Sequence, residues 1–197
     1  MNFAIIAQQL VSGMGSSLMI FVLTLLFSMP LGLLVAFGRM SKIKPLQAVI
    51  KVFIAILRGT PLMLQLLVVN FAPYYLFRIS LPRWYRFAAI IIGFSINYAA
   101  YFAEIYRSGI ESIPKGQYEA ASVLGYNKNQ TFFRIIFPQM VKRVLPPVTN
   151  EVITLVKDTS LAFVLAYEEM FTVAKQIASA RTSIMPLFVA GVFYFIF

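Results

Sequence analysis

The chain has neither cysteine nor histidine. Their absence removes disulfides, thiolate and imidazole metal sites, haem ligation through those residues, cysteine nucleophiles and every Ser–His or Cys–His relay. Most enzyme chemistry goes with them, an intramembrane enzyme becomes the weakest class, and no metal site is expected. Charge is scarce as well: 12% of the 197 residues are charged, against 60% hydrophobic and 15% aromatic, with a mean hydropathy of +0.81. A soluble domain carries roughly 25% charged and about 45–50% apolar residues. The composition therefore points to a bilayer. Internal repeats, low-complexity tracts and polar linkers are also missing, so residues 1–197 read as a single helical membrane domain. No Gly-x4-Gly-Lys-Ser/Thr phosphate loop occurs, so any ATP hydrolysis belongs to another chain.

What is present is long apolar runs. Residues 1–38 hold no charged side chain. A hydrocarbon core of about 30 Å needs roughly 20 helical residues, so residues 13–38 can cross. A basic start and a small-residue cleavage site are lacking, so a retained helix is expected here and not a signal peptide. Further spans are expected at about 59–77, 87–106, 144–167 and 182–197, making an all-α polytopic protein with five transmembrane helices. The last run would rise only about 24 Å, which leads us to expect a C-terminal tail beyond it.

Lys and Arg are distributed unevenly between the connections. Eleven lie in 39–58 and 104–143, and five (Arg78, Arg83, Arg86, Lys175 and Arg181) lie on the other side. The bias places the two long basic segments in the cytoplasm, the N-terminus outside and the C-terminus inside. The same asymmetry accounts for the net charge of +10 without invoking nucleic acid. Residues 45–57 are too few to span. Pro45 suits a helix start, Gly59 a C-terminal cap and Pro61 a stop. They form either a helix at the cytoplasmic interface, with Arg58 near the headgroups, or the start of a long tilted second span from Leu46. The break at Pro61 supports an interfacial anchor more than a hinge or gate.

The cytoplasmic stretch 111–138 is well punctuated. Ser112 is placed to cap a helix with Pro114 in its first turn, and Gly125 to end it in the left-handed conformation. Asn127 with Gln130 forms a second capping signal, and Phe137-Pro138 closes that second short helix. Such an object, exposed between the third and fourth spans, suits a grip for a partner protein.

These residues carry a resemblance. Glu119-Ala120-Ala121, Gly125 and Ile135-Ile136-Phe137-Pro138 match the E-A-A-x3-G-x9-I-x-L-P loop of ABC importer permeases at every spacing, with Phe137 in place of the usual Leu. Arg58-Gly59-Thr60-Pro61-Leu62, Pro114-Lys115-Gly116-Gln117 and Lys157-Asp158-Thr159-Ser160-Leu161 resemble the polar amino-acid group (histidine, glutamine, glutamate, arginine and opine permeases), from about Gly13 to the C-terminal end. The resemblance implies a bacterial inner-membrane subunit whose coupling helix docks on a separate ATP-binding subunit through Gln117, Glu119, Ala120, Ala121 and Gly125. Ala120 and Ala121 would permit close approach, Glu119 would offer a carboxylate, and Gly125 would set the turn. It also implies a dimer of ATP-binding subunits holding the ATP and Mg, a second permease copy or similar chain, an external substrate-binding protein and a polar amino acid as substrate. This chain itself would bind no cofactor.

Ionisable groups within spans cost about 2.5–3.5 kcal/mol on insertion scales and default to function. Pro147, Glu151, Thr154 and Asp158 recur at helical spacing, with Lys157 beside them. Asn97, Tyr101, Glu104 and Ser108 repeat the pattern on the third span. Asn97, Tyr101, Glu104, Glu151, Thr154, Lys157 and Asp158 are the candidate lining of a solute path. Other readings are a Glu104–Arg107 pair on one helix face, a Lys157–Asp158 pair, and a helix broken and capped at Asp158-Thr159-Ser160. The rival class is a gradient-driven secondary transporter or channel, against which the missing inverted repeat argues.

Overall fold

The computed structural model describes residues 3–197, and among them every regular element is helical. In chain order they are α1 (Phe3–Arg39), α2 (Lys44–Gly59), α3 (Leu62–Phe77), α4 (Tyr85–Glu111), α5 (Lys115–Val123), α6 (Lys128–Gln130), a π-helical stretch (Thr131–Ile136), α7 (Phe137–Asp158), a 3-10 stretch (Thr159–Leu165), α8 (Met170–Arg181) and α9 (Met185–Ile196). Two helices, α1 and α4, are long and apolar enough to cross a membrane individually, and α2 with α3 passes only as a broken pair.

α1 is apolar all round, but its buried positions fall on one stripe: Ile6, Leu10, Gly13, Ser17, Ile20, Thr24, Ser28, Gly32 and Ala36. The small residues on that stripe let backbones approach closely, as helix pairs in lipid require. A Cβ on Gly32 would fall 2.8 Å from Phe102 Cβ, and one on Gly13 would fall 2.8 Å from Met170 Cα. α4 is the centre of the main core, buried from Ala89 to Gly109 at most positions and packed against α1, α2, α3 and α7. A second, smaller core joins Ile6 and Leu10 of α1 to Met170, Val173, Val189 and Ala190. α9 runs beside α1 in the same direction, bringing the Phe197 ring to 5.8 Å from that of Phe21.

α2 and α3 meet at 111°, so a single straight span from Leu46 is not what forms. Pro61 has no N–H and disfavours helix at the residue before it, and Thr60 is extended at φ −119°, ψ 148°. The elbow's freed carbonyls are then satisfied by side chains. Gln65 Nε2 donates to the Leu57 carbonyl (2.8 Å) and to Thr60 Oγ1 (2.8 Å). Asn97 Nδ2, from α4, donates to the same carbonyl (3.2 Å) and to Gln65 Oε1 (2.9 Å).

Residues 111–138 differ from expectation in three places. Ser112 is the C-cap of α4, its hydroxyl donating to the Gly109 carbonyl at 2.7 Å, and Pro114 takes the N-cap position of α5. A hydroxyl two residues before a proline serves the preceding helix when that helix still has orphan carbonyls. The capping box at Asn127 and Gln130 is present with both reciprocal bonds. Phe137-Pro138, however, opens α7 instead of closing a short helix. The π turn widens the ladder, Phe137 N–H bonding back to the Phe132 carbonyl, and Pro138 falls in the first turn of α7. A proline there lacks only a donor that the change of register leaves without a regular partner. The segment is therefore one short helix, a turn, and the start of a long one.

Candidate functional site

The polar stripes of α4 and α7 face each other across a cavity of about 570 Å³, lined among others by Arg58, Tyr101, Glu104, Arg107, Ser108 and Glu151. Toward one end Arg143 donates to the Ser112 carbonyl at 2.6 Å, tying α7 to the last turn of α4. Within the cavity wall the charges divide into two sets. Glu104 accepts from Arg107 through Nε (3.1 Å) and Nη2 (2.6 Å), with Arg39 Nε at 3.8 Å, and Arg107 also reaches Glu111. Two cations thus converge on one carboxylate, in a geometry of charge-assisted bonds. Arg58 and Glu151 form no hydrogen bond or ion pair among the described residues. Arg58 instead lies over the Tyr101 ring, 5.1 Å from its centroid.

The sequence-predicted lining residues therefore separate. Tyr101, Glu104 and Glu151 come together on the cavity, although Glu104 is already paired. Asn97 is buried and both its donor bonds serve the elbow. Asp158 accepts a 2.7 Å bond from Tyr98, a side chain only 2% exposed, and makes no ion pair with Lys157 among the described residues. Thr154 returns its hydroxyl to the Asn150 carbonyl of its own helix at 3.0 Å, and Lys157 is exposed. The break after Asp158 is capped by hydroxyls: Thr159 donates to the Val156 carbonyl (2.8 Å) and Ser160 to that of Lys157 (2.7 Å). Arg58, read from the sequence as an anchor near the headgroups, also lines the cavity. The elbow at Thr60-Pro61 sets its direction.

On α5, Gln117, Glu119 and Ala120 are exposed and Gly125 turns the chain at φ +76°. Gln117 Oε1 accepts from Gln139 of α7 at 3.1 Å. Ala121, expected to meet a partner, is 2% exposed and turned to its own chain, because α5 packs on the π-helical stretch. The outward apolar groups at the end of α5 are Val123 (87% exposed) and Leu124 (71%).

Two residues escaped the sequence reading. Tyr98 stands one position off the α4 stripe, and only the fold brings Asp158 to it. Glu169 is fully buried. As N-cap of α8 it accepts from the Phe171 and Thr172 amides at 2.7 Å each, from the Thr172 hydroxyl at 2.8 Å and from Tyr194 of α9 at 3.1 Å. Ser17 of α1 lies at 3.4 Å and also accepts from the Met170 amide. Its one local signal is an acidic residue where a helix N-terminus wants one.

Residues 28–197 match the family described as binding-protein-dependent transport system inner membrane component. The chain is similar to the L-cystine transport system permease protein TcyB of Bacillus subtilis, at 38% identity over 88% of this chain and 73% of that protein. It is also similar to the arginine transport system permease protein ArtQ of the same organism, at 31% identity over 95% of this chain and 84% of that one. A crystal structure of an amino acid ABC transporter with histidines superposes with a TM-score of 0.87 at 30% identity, covering all of this chain and 92% of the other. An inward-facing MetNI methionine ABC transporter shares the fold, with a TM-score of 0.69 at 16% identity over all of this chain and 94% of the other.

Proposed function

Because the chain belongs to the family of binding-protein-dependent inner-membrane transport components, we propose that it carries a polar α-amino acid through the α4–α7 cavity. The protein is a polytopic inner-membrane permease subunit, and in this family a separate subunit hydrolyses ATP while a substrate-binding protein supplies the solute. The substrate class is supported by one observation above the rest: a cavity whose polar wall offers unpaired charge of both signs, Arg58 and Glu151. An apolar solute has no use for it, and an inorganic ion would need one sign only. Relatives named for cystine and arginine carriage agree with this reading.

The finer assignments rest on the residues. Five spans run from an external N-terminus to a cytoplasmic C-terminus, with 39–58 and 104–143 inside and membrane lipid against the outer faces of α1 and α3. Two such permeases, this chain with a copy of itself or with a similar chain, surround the path and dock a dimer of ATP-binding subunits. Docking uses Glu119, Ala120, Val123 and Leu124, the side of α5 that its own chain leaves uncovered, and Gly125 orients that helix. Along the path Tyr101 and Glu151 meet solute, and so does Asp158, which accepts from Tyr98 through Oδ2 and keeps Oδ1 for it. Glu104, Asn97 and Thr154 are already bonded and hold the walls, while exposed Lys157 is free to reach a partner.

The test is uptake in proteoliposomes holding the permease, its ATP-binding subunit and the binding protein, with arginine, glutamine and cystine as solutes. ATP-dependent uptake of at least one is expected, and uptake of none overturns the reading. Asp158→Asn should change the ratio of arginine to glutamine uptake, and an equal loss for both would assign Asp158 to packing. Glu119→Lys should leave the complex in the membrane and lower the ATP hydrolysis coupled to uptake.

A further inference from the structure

The connection from α3 to α4 holds a second polar cavity with its own lining. Residues 59–103 contain three arginines, Arg78, Arg83 and Arg86, and no acidic residue. Arg83 and Arg86 line a cavity of about 440 Å³ together with Asn70, Tyr74, Tyr75 and Ser80, among others. Its walls are tied to the fold. Tyr85 donates its hydroxyl to the Val69 carbonyl of α3 at 3.0 Å, and Arg86 Nη1 donates to the Ala166 carbonyl at 3.2 Å. Arg86 keeps its other N–H groups, and the Arg83 side chain makes no hydrogen bond or ion pair among the described residues. Tyr75 of the cavity wall is 68% exposed, and Trp84, next to Arg83 in the chain, is 70% exposed. Such rings, apolar with one polar end, concentrate where a membrane meets water.

An apolar track continues the cavity. Leu64, Val68, Phe71 and Tyr75 recur at helical spacing along α3, and all four are exposed. Phe71 and Tyr75 also line the cavity, so the stripe begins there and runs toward the elbow. From Tyr75 to Leu64 it covers about 16 Å, half of a hydrocarbon core of about 30 Å. Guanidinium forks take phosphate oxygens in paired bonds, and Tyr, Ser and Asn side chains add neutral polar contacts. We propose that the cavity binds an anionic phospholipid from the leaflet that meets the α3–α4 connection, with Arg83 and Arg86 on the phosphate and one acyl chain along α3. The inference goes beyond the amino-acid reading and rests on the reading that lipid covers the outer face of α3. A free phosphate would leave the apolar track unused, and a soluble partner has no use for apolar surface running into a span. A second copy packed on this face about a twofold axis would set the same cations against themselves. An anionic lipid instead balances a connection that carries three positive charges and no negative one.

The reporter is Trp84, the one tryptophan of the chain. The intact complex of the permease and its ATP-binding subunit is reconstituted in phosphatidylcholine vesicles with rising fractions of dibrominated phosphatidylglycerol or dibrominated phosphatidylcholine, whose bromines quench a nearby indole. Trp84→Phe supplies the signal to subtract for tryptophans of the partner. Brominated phosphatidylglycerol should reach half-maximal quenching at a mole fraction about fivefold or more below that of brominated phosphatidylcholine, the scale of one arginine at a membrane surface. Arg83→Gln should bring the two lipids within about twofold of each other, at an unchanged melting temperature because no bond within the chain is lost. Arg83→Lys, which keeps the charge without the fork, should retain part of the preference. Equal quenching by both lipids in the wild type overturns the anionic site and leaves α3 against lipid. Full preference in Arg83→Gln overturns the site likewise. A preference abolished by inorganic phosphate, and not by chloride at the same ionic strength, assigns the cavity to a free anion and overturns the lipid. Quenching by neither lipid removes both the site and the lipid-covered face, and gives that face to protein.

Discussion

The elbow between α2 and α3 and the cavity between α4 and α7 lie on opposite sides of the same residue, Arg58, and treat polar groups in opposite ways. At the elbow the Leu57 carbonyl, Thr60, Gln65 and Asn97 bond one another. In the cavity Arg58 and Glu151 are left without a hydrogen bond or ion pair among the described residues. The clamp around Glu169 belongs with the elbow: its two carboxylate oxygens collect bonds from α8 and α9. A membrane interior penalises unsatisfied polar groups heavily. Where they persist unpaired they line water, and there they can wait for a solute. Where they are saturated they hold backbone in place. The division predicts that the saturated groups carry stability and the unpaired ones carry transport.

The sharpest way to break this comparison is Glu169→Ala. It would strand at least two main-chain donors inside protein, each costing about 1–3 kcal/mol, so a loss on the order of 3 kcal/mol or more is expected. Thermal unfolding of the detergent-purified complex measures it, and Glu169→Gln, which keeps one acceptor, should fall between. A melting temperature unchanged in Glu169→Ala would mean that the clamp holds nothing. Asn97→Leu should come next. It removes two bonds at the elbow and leaves Gln65 Oε1 unpartnered, for about 1–3 kcal/mol, while Thr154→Val, which loses only a bond within its own helix, should be close to neutral by the same assay.

Gly125→Val tests a site of neither kind. The turn is left-handed at φ +76°, and nothing lies within 4 Å of where a Cβ would be. Space is therefore no obstacle and the cost is backbone strain, about 1–2 kcal/mol. The turn is exposed and should relax by shifting α5, so unfolding changes little while the stimulation of ATP hydrolysis by loaded binding protein is lost. Retained stimulation would detach Gly125 from coupling.

How far the sequence reveals these features depends on the range of the interactions behind them. Apolar runs mark α1 and α4 because burial in lipid is a property of a segment by itself. Gly125 and the Asn127–Gln130 box were legible because turn and cap chemistry are settled within four residues. The π turn before Phe137 was not, since one extra residue in a helical ladder leaves no composition signal. The orientation of Ala121 depends on a contact with the π-helical stretch, and that of Arg58 on an elbow whose angle periodicity does not encode. Glu169 looks like a surface glutamate until Gly13 and Ser17, about 150 residues earlier, close over it. Polar residues at helical spacing mark one stripe on α4 and another on α7, but a stripe does not say which members are already bonded. Asn97 and Glu104 were grouped with Glu151 for that reason, and only geometry separates them.

Glu151→Gln should have the smallest effect on stability of all and a large one on function. The side chain is partly exposed to the cavity and gives up no bond within the chain, so removing its charge breaks nothing that holds α7. A change within about 0.5 kcal/mol is expected, the range of substitutions away from packed or bonded features. Uptake should fall for arginine, glutamine and cystine alike, with the loss in apparent affinity for solute, because the group lost would meet what these solutes share. An equal fall across solutes has a bland explanation when the protein is damaged. It has none when the melting temperature is unchanged, and the pair of readouts must therefore be taken on the same preparation. A clear drop in melting temperature for Glu151→Gln, comparable to that of Asn97→Leu, would place Glu151 with the residues that hold the walls and end the distinction drawn between elbow and cavity.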